Sequence, residues 1–520
     1  MTKQSFIKGA MILLAAGIIN RILGFIPRIA LPRMIGAEGI GLYQMAYPLM
    51  IVILTIITGG IPLAVSKLVA EADAEGRPDK IKATVKIALT ITITGSMLFT
   101  ALSLWFASYI TTNWFTDSRV YYAYISMTPI LLIAGISSVL RGYFQGLQNM
   151  IPTALSQTAE TLIRIIVALL LAYMLLPLGV QYAAAGAMIG VVAGEAIGLL
   201  VLAYPFLKKR PPSAQASTAA NTHKPPALFR QLFRVAIPVT ASRLVGSGSY
   251  FAESIMTVQG LAAAGIATAV ATTQYGVLQG MVLPILLLPT ALTYSLAVSL
   301  VPSLSEAALR NDHRTVHKRL HQSLMLSMIA GAPFAIIMYV LADPLCRLIF
   351  NHAEAGAMLK MMAPIALFIY FQGPLQAALQ ALERPGTALI NTLIGAIAKL
   401  TLIAILAAKP NLGIYGVVIA INVNIALVTA LHWFSVTKLL KFSMPAIDFL
   451  KVSAAIGLAG VSCSYVWKHT GYALASPLRL TAAIFAALLV YLLGCIALRL
   501  IDREDLRRLV WMYKKFKKQP

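Results

Sequence analysis

Seven charged side chains stand inside stretches of this sequence that are otherwise apolar: Arg21, Arg164, Arg243 and Lys399, and against them Glu160, Glu195 and Glu253. A charge at the centre of a bilayer-crossing helix costs about 2.5–3.5 kcal/mol on insertion scales, so it faces a wet cavity or an opposite charge and marks a pathway. The sum of the seven is slightly positive. Guanidinium forks match phosphate oxygens and an ammonium adds a point charge, so the chemistry this set offers is electrostatic recognition of a phosphate-bearing ligand. Arg28 and Arg33 stand beside Pro27 and Pro32 and shortly before glycines 36, 39 and 41. Those residues bend or break the first helix before an irregular outer turn, which carries the two arginines toward the mouth of a central cavity. At an interface the same two side chains are equally well explained by snorkelling.

Two polar stripes accompany these charges. Thr153, Gln157, Glu160, Thr161 and Arg164 recur at three- and four-residue intervals, as do Arg243, Ser247, Tyr250, Ser254 and Thr257. Such spacing puts each set on one helix face, and lipid cannot satisfy its hydrogen bonds, so both faces belong against protein or water. Two readings stay open. Glu160 and Arg164, four apart, can neutralise each other within one helix; Glu195 and Glu253 serve either as structural partners or as proton or ion sites.

The elements that position these residues are membrane spans. The 520 residues are 59% hydrophobic and 12% charged, with a mean hydropathy of +0.81. A soluble chain carries about 45–50% apolar and about 25% charged residues, so an all-α polytopic membrane protein is predicted. Apolar runs of about 20 residues fall near 6–32, 43–70, 83–109, 121–142, 151–177, 182–206, 232–258, 272–305, 321–341, 357–382, 387–408, 413–437, 447–467 and 478–500. These make about fourteen spans. The polar insert 208–226, rich in Pro, Ser, Ala and Lys, reads as a cytoplasmic linker. It separates an N-terminal six-helix lobe (1–206) from a second (232–437), with 207–231 between them and two further helices and a basic tail in 438–520.

The halves repeat weakly. Arg21 and Arg243 lie in the first helix of each half; QGLQN (145–149) and QALER (380–384) close the fourth; Arg164 and Lys399 follow in the fifth. Six spans return the chain to one side of the membrane, so such lobes are parallel repeats around a central cavity lined by cations.

The net charge of +24 is absorbed by the distribution of Lys and Arg, most of which fall in cytoplasmic segments once the N-terminus is placed inside. Both termini are then cytoplasmic, and nucleic acid is not called for. Lys3 and Lys8 before an apolar run imitate a signal peptide, but no small-residue cleavage site follows. Cys346, Cys463 and Cys495 have no paired or metal-like spacing. His313, His317 and His321 lie among Arg310, Arg314, Lys318 and Arg319; a basic interfacial helix on anionic lipid accounts for them better than a metal site. The run 507–518 reads similarly. The sequence carries no P-loop and no zincin motif, and Asp117, Asp343 and Glu354 stand isolated on short outer loops. Neither an enzyme nor a cofactor or metal site is expected.

Several stretches resemble one family: NRILGFIPRIALPRMIGAEGIGLYQMAYP (20–48), GGIPLAVSKLVAEADAEGR (59–77), RGYFQGLQNMIPTALSQTAETLIR (141–164) and VPSLSEA (301–307). Together they are similar to the polysaccharide-transporter branch of the multidrug/oligosaccharidyl-lipid/polysaccharide exporter superfamily. The resemblance covers the whole chain. It implies two six-helix lobes alternating between inward- and outward-open arrangements, and a flippase of undecaprenyl-pyrophosphate-linked saccharides in the cytoplasmic membrane. The implied cargo is lipid II for spore cortex peptidoglycan, with membrane lipids and cell-wall synthesis proteins as partners. In the related lipid II flippases the last two helices hold the lipid tail, here residues 447–500, and a first-helix arginine matches Arg21. A second arginine of that helix would fall near Pro27, with Arg28 one position along. Arginines of the second and eighth helices meet apolar residues around Val52 and Val277.

Three functions follow from different classes. The first is the flippase. The second is ion-coupled export of cationic drugs, as in the sister branch, which prefers an acidic cavity. The third is a membrane glycosyltransferase or a non-catalytic scaffold of the cell-wall machinery.

Overall fold

The computed structural model describes residues 6–208, 225–470 and 476–500. Lys3, positions 209–224 of the polar insert and the basic run 507–518 lie outside the described residues. Among those described, every regular element is a helix. In chain order these are α1 (Phe6–Leu23), α2 (Phe25–Thr58), α3 (Ile61–Ala74), α4 (Pro78–Trp105), α5 (Ala107–Asn113), α6 (Val120–Met127), α7 (Ile130–Gly146), α8 (Ile151–Leu175), α9 (Val180–Lys208), α10 (Pro225–Ala263) and α11 (Thr268–Val277). There follow α12 (Leu283–Leu286), α13 (Thr290–Leu309), α14 (His313–Val340), α15 (Ala342–Phe350), α16 (Glu354–Met362), α17 (Ala366–Ala381), α18 (Pro385–Leu406), α19 (Ile414–Leu440), α20 (Ala446–His469) and α21 (Ser476–Ala497).

Twelve helical stretches among the described residues are long and apolar enough to cross a membrane. One of them, Ala16–Ala74, is 59 residues long, about 88 Å if straight, against a hydrocarbon core of about 30 Å. It therefore holds two crossings. Its joints are Gly24, between α1 and α2; Gly36, whose φ of 70° and ψ of 179° break the helical backbone inside α2; and Gly59–Gly60, between α2 and α3. The break read from Pro27, Pro32 and the glycines is thus carried by Gly36. The 39-residue α10 is not one of the twelve, because Arg230, Arg234, Arg243 and Glu253 lower its hydropathy. Counting it brings the crossings to about fourteen. The protein is an all-α, multi-pass membrane protein.

Helix ends record the internal repeat. α3 and α13 both stop on a residue with positive φ, Gly76 and Asn311, after which Arg77 and Asp312 donate back to the carbonyls of Ala72 and Ala307. α7 and α17 stop in the same way, on Gln148 and Glu383, with Asn149 and Arg384 donating to Phe144 and Leu379. This six-to-one bond and the left-handed residue before it satisfy orphan carbonyls of the last turn. Gly76 and Asn311 stand 235 residues apart, as do Gln148 and Glu383. Arg164 and Lys399 share that separation. In the same register Arg243 falls opposite Lys8 and Arg21 opposite Met256, so the two first-helix arginines are not equivalent positions.

The chain divides into two compact units, Met1–Met281 with Leu402–Val417, and Val282–Thr401 with Val418–Pro520. In the first, Ile61, Val65, Leu68, Val85, Tyr143 and Phe144 form a core between α3, α4 and α7. In the second, Leu304, Leu320, Leu324, Phe371 and Leu375 pack α13, α14 and α17 together, and Tyr491 of α21 joins them by donating to the Ile329 carbonyl at 3.0 Å. All three cysteines are buried free thiols. Large apolar side chains such as Ile166, Leu170, Tyr173, Leu458 and Phe485 stay exposed, as a surface solvated by lipid tails requires.

Candidate functional site

Three helices of the first unit bring Glu160, Arg164 and Glu195 together, and a fourth charge holds them. Arg141, near the end of α7, extends Nη2 to Glu160 Oε2 on α8 at 2.9 Å and to Glu195 Oε1 on α9 at 3.0 Å. Arg164 Nη1 lies 3.5 Å from Glu160 Oε1, one turn along α8. The side chains of Glu160 and Glu195 are 16% and 10% exposed. Two buried carboxylates are thus balanced by two guanidiniums, and the cluster is electrically neutral.

Glycines let the helices approach closely enough for this. Gly186, Gly190, Gly194 and Gly198 recur every fourth residue of α9 and meet α8 along its length. A Cβ on Gly194 would stand 2.7 Å from both Arg164 Cβ and the Glu160 carbonyl oxygen, and one on Gly190 would run into the backbone of Ala168. Ser156 Oγ donates to the Gly198 carbonyl at 2.9 Å across the same seam. Small residues at four-residue spacing are how helices pack where no hydrophobic effect drives them together. Gly190→Leu is therefore expected to separate α8 from α9 at a cost of about 1–3 kcal/mol. The check is a lower melting temperature and a smaller monodisperse fraction on size exclusion in detergent.

The remaining residues singled out from the sequence lie elsewhere. Arg21, Arg28, Arg33 and Arg243 are exposed side chains of the first unit. Arg28 rests over the Phe25 ring, 5.7 Å from its centroid. On the α10 stripe, Tyr250 donates to Gln44 Oε1 of α2 at 3.4 Å, and buried Glu253 accepts from Gln279 Nε2 at 2.7 Å. Tyr43 and Tyr47 stack on α2 with centroids 6.0 Å apart. Lys399 belongs to the second unit and is buried. At the repeat separation from Arg141, Glu160 and Glu195 stand Gln376, Gly395 and Ala430; the neutral cluster is a feature of the first half alone.

Arg141 was not among the charges marked from the sequence, because it falls on the last residues of an apolar run and reads as a span-end cation. The signal that would have found it is stoichiometric: Glu160 and Glu195 need a cation from a neighbouring helix, and α7 supplies one within the RGYFQG stretch.

Asp117 is not isolated. It is 3% exposed and accepts from the backbone N–H of Arg119 at 3.0 Å, from its Nε at 3.0 Å and from its Nη2 at 2.8 Å. Thr272 Oγ1 of α11 donates to it at 3.0 Å, while Arg119 also pairs with Glu38 of α2 at 2.7 Å. Gln259 Nε2 donates to the Trp114 carbonyl at 3.1 Å. The loop between α5 and α6 thus ties α2, α10 and α11 together within the unit. Burial alone raises the Asp117 carboxyl, but the bonds from Arg119 and Thr272 outweigh it and hold it below the ordinary carboxylate range. A depressed value means that the contribution is complete above that range and is lost as pH falls through the folded value. Asp117→Asn is expected to cost about 1–2 kcal/mol at neutral pH. The deficit against wild type should shrink below about pH 4, which thermal unfolding across pH 3–7 measures.

In the second unit His321 Nε2 lies 2.8 Å from Asp448 Oδ2, and Arg319 donates to Ser303. His432 is buried, its Nδ1 3.1 Å from Asn391 Nδ2. Among the described residues no group of three His, Cys, Asp or Glu is placed to hold a metal ion.

The comparisons with known proteins accord with this architecture. The profile of the family described as polysaccharide biosynthesis protein matches residues 6–306, and the MatE profile matches 238–405. The chain is 42% identical over 509 residues to stage V sporulation protein B of Bacillus subtilis (strain 168), covering 98% of each. It is 26% identical over 430 residues, 77% of each chain, to the lipid II flippase MurJ of the same organism. A solved structure of a lipid II flippase MurJ in an inward closed conformation superposes with a TM-score of 0.68 at 16% identity, covering 94% of this chain and 99% of that one, a likeness of fold. With about fourteen crossings and a profile match over more than half its length, the chain belongs to the polysaccharide biosynthesis protein family.

Proposed function

We propose that the chain is a flippase that carries the head of an undecaprenyl-pyrophosphate-linked saccharide across the cytoplasmic membrane by alternating access, lipid II for spore cortex being the cargo. The observation that carries this reading is the placement of charge. Arg141 and Arg164 neutralise the buried acids Glu160 and Glu195, whereas the span arginines Arg21, Arg28, Arg33 and Arg243 keep exposed surface. The charge on offer to a passing ligand is therefore positive, which suits a pyrophosphate and opposes a cationic drug. The full-length likeness to stage V sporulation protein B and the likeness to a lipid II flippase support the same class of cargo.

In this reading two six-helix lobes, 1–206 and 232–437, move about the bound head group, with both termini in the cytoplasm and 207–231 as their linker. Arg21, Arg28, Arg33 and Arg243 receive the pyrophosphate, Lys399 adds positive potential, and Arg164 is held in the neutral cluster. Glu160 and Glu195 are structural, and Glu253 is the remaining candidate for ion coupling. The prenyl chain stays in the bilayer, so the chain performs transport and not catalysis. Cell-wall synthesis proteins that use the flipped precursor are its partners. The test is lipid extraction from a depleted strain with a probe that acts from outside. A lipid-linked precursor that accumulates out of the probe's reach supports the proposal; a precursor pool with unchanged accessibility overturns it.

A further inference from the structure

Between α2, α3, α4 and α10 the first unit holds a half-open cavity of about 270 Å³. Ile56, Ile57, Ile91, Phe99, Phe233 and Leu244 form most of its wall. Its one polar residue, Thr240, is already engaged, accepting from the Gly60 N–H at 3.0 Å. Water would find no second partner there, so an apolar space of this kind in a membrane-spanning bundle fills with hydrocarbon.

Two features identify the hydrocarbon. The wall on α10 runs from Phe233 to Leu244, a rise of about 16 Å, which is the depth of one leaflet of a core about 30 Å thick. That length suits an acyl chain, and a polyprenyl chain would overrun it several times. Then, Arg230 stands on the groove face of α10 one turn before Phe233, and Arg234 flanks that face beside Phe233, both exposed. α10 is 39 residues long, about 58 Å, and exceeds the full bilayer thickness of about 40–45 Å. Its first turns therefore reach the head-group layer, where a basic side chain attracts anionic lipid.

We infer that this cavity seats one acyl chain of an anionic glycerophospholipid whose phosphate lies on Arg230 and Arg234. The site is separate from the proposed cargo path and stands whether or not that proposal does. A lipid held there braces α10 against α4, so its release loosens the helix that carries Arg243.

Gly95 offers a direct test, since a Cβ there meets nothing within 4 Å and a leucine side chain would occupy the cavity from α4. The purified full chain in neutral detergent is titrated with phosphatidylglycerol, phosphatidylcholine or undecaprenyl phosphate, following the melting temperature and the lipid retained in native mass spectrometry. Phosphatidylglycerol is expected to raise the melting temperature and stay bound. Gly95→Leu should abolish both effects, while Arg230→Ala and Arg234→Ala each weaken retention about fivefold. Should Gly95→Leu fail to fold, the arginine variants decide. Equal effects of phosphatidylglycerol and phosphatidylcholine, preferential retention of undecaprenyl phosphate, or undiminished phosphatidylglycerol binding in the arginine variants would overturn the inference.

Discussion

Arg141→Ala is expected to remove most of the folded protein from the membrane. The substitution leaves Glu160 and Glu195 buried beside each other, with only Arg164 at 3.5 Å to offset one of them. Breaking a buried ion pair from one side costs about 3–5 kcal/mol, a large share of the roughly 5–15 kcal/mol that holds a domain folded. Arg141→Lys should fall between, because an ammonium keeps the charge but cannot fork across two carboxylates. The decisive comparison is the quadruple variant Arg141→Met, Glu160→Gln, Arg164→Met, Glu195→Gln, which removes the charges as a set. Replacing a whole buried cluster by neutral groups of similar volume is close to neutral in stability, so this variant should recover the monodisperse protein and retain flipping. A quadruple variant that folds and does not flip would move the cluster from scaffold to mechanism.

The opposite pattern is expected at Arg21 and Arg243. Both are exposed, and substitutions of exposed residues away from special features change stability by about 0.5 kcal/mol or less. Their alanine variants should therefore reach the membrane folded. If each arginine gives the crossing pyrophosphate one charge-assisted hydrogen bond worth about 1.5–3 kcal/mol, each loss slows head-group translocation by about 10- to 100-fold. Lysine at either position should restore part of the rate, since a point charge replaces a fork. A merely structural arginine would show the reverse, with reduced protein and no selective rescue. Undiminished flipping in both alanine variants removes the two residues from the path.

Hydropathy made the spans legible, because every bilayer crossing must write about 20 apolar residues into the chain. The repeat was legible as well, but only to the precision of short motifs. The pairing of Arg164 with Lys399 holds at the 235-residue separation set by the helix ends, whereas Arg21 and Arg243 turn out not to be equivalent. Of the candidate site, the i,i+4 relation of Glu160 to Arg164 could be read directly. Arg141 could not, because its role depends on α7, α8 and α9 meeting side by side, and linear spacing is silent about which helices touch. The glycine period on α9 was present in the sequence, yet its consequence, a seam tight enough to set buried charges in contact, appears only with the backbone of α8 against it. Asp117 illustrates the same limit: Thr272, its partner, lies 155 residues away.

Central to this account is that a positively lined path carries an anionic, lipid-linked sugar head between leaflets. The most direct measurement reconstitutes the purified chain in liposomes holding a fluorescent polyprenyl-pyrophosphate saccharide and adds a membrane-impermeant quencher from outside. Protein-dependent exposure of label that began in the inner leaflet is the predicted result, slowed in the Arg21→Ala and Arg243→Ala variants and not inhibited by cationic drugs. Exposure no faster than in protein-free liposomes, under both an imposed membrane potential and an imposed proton or sodium gradient, would contradict the account.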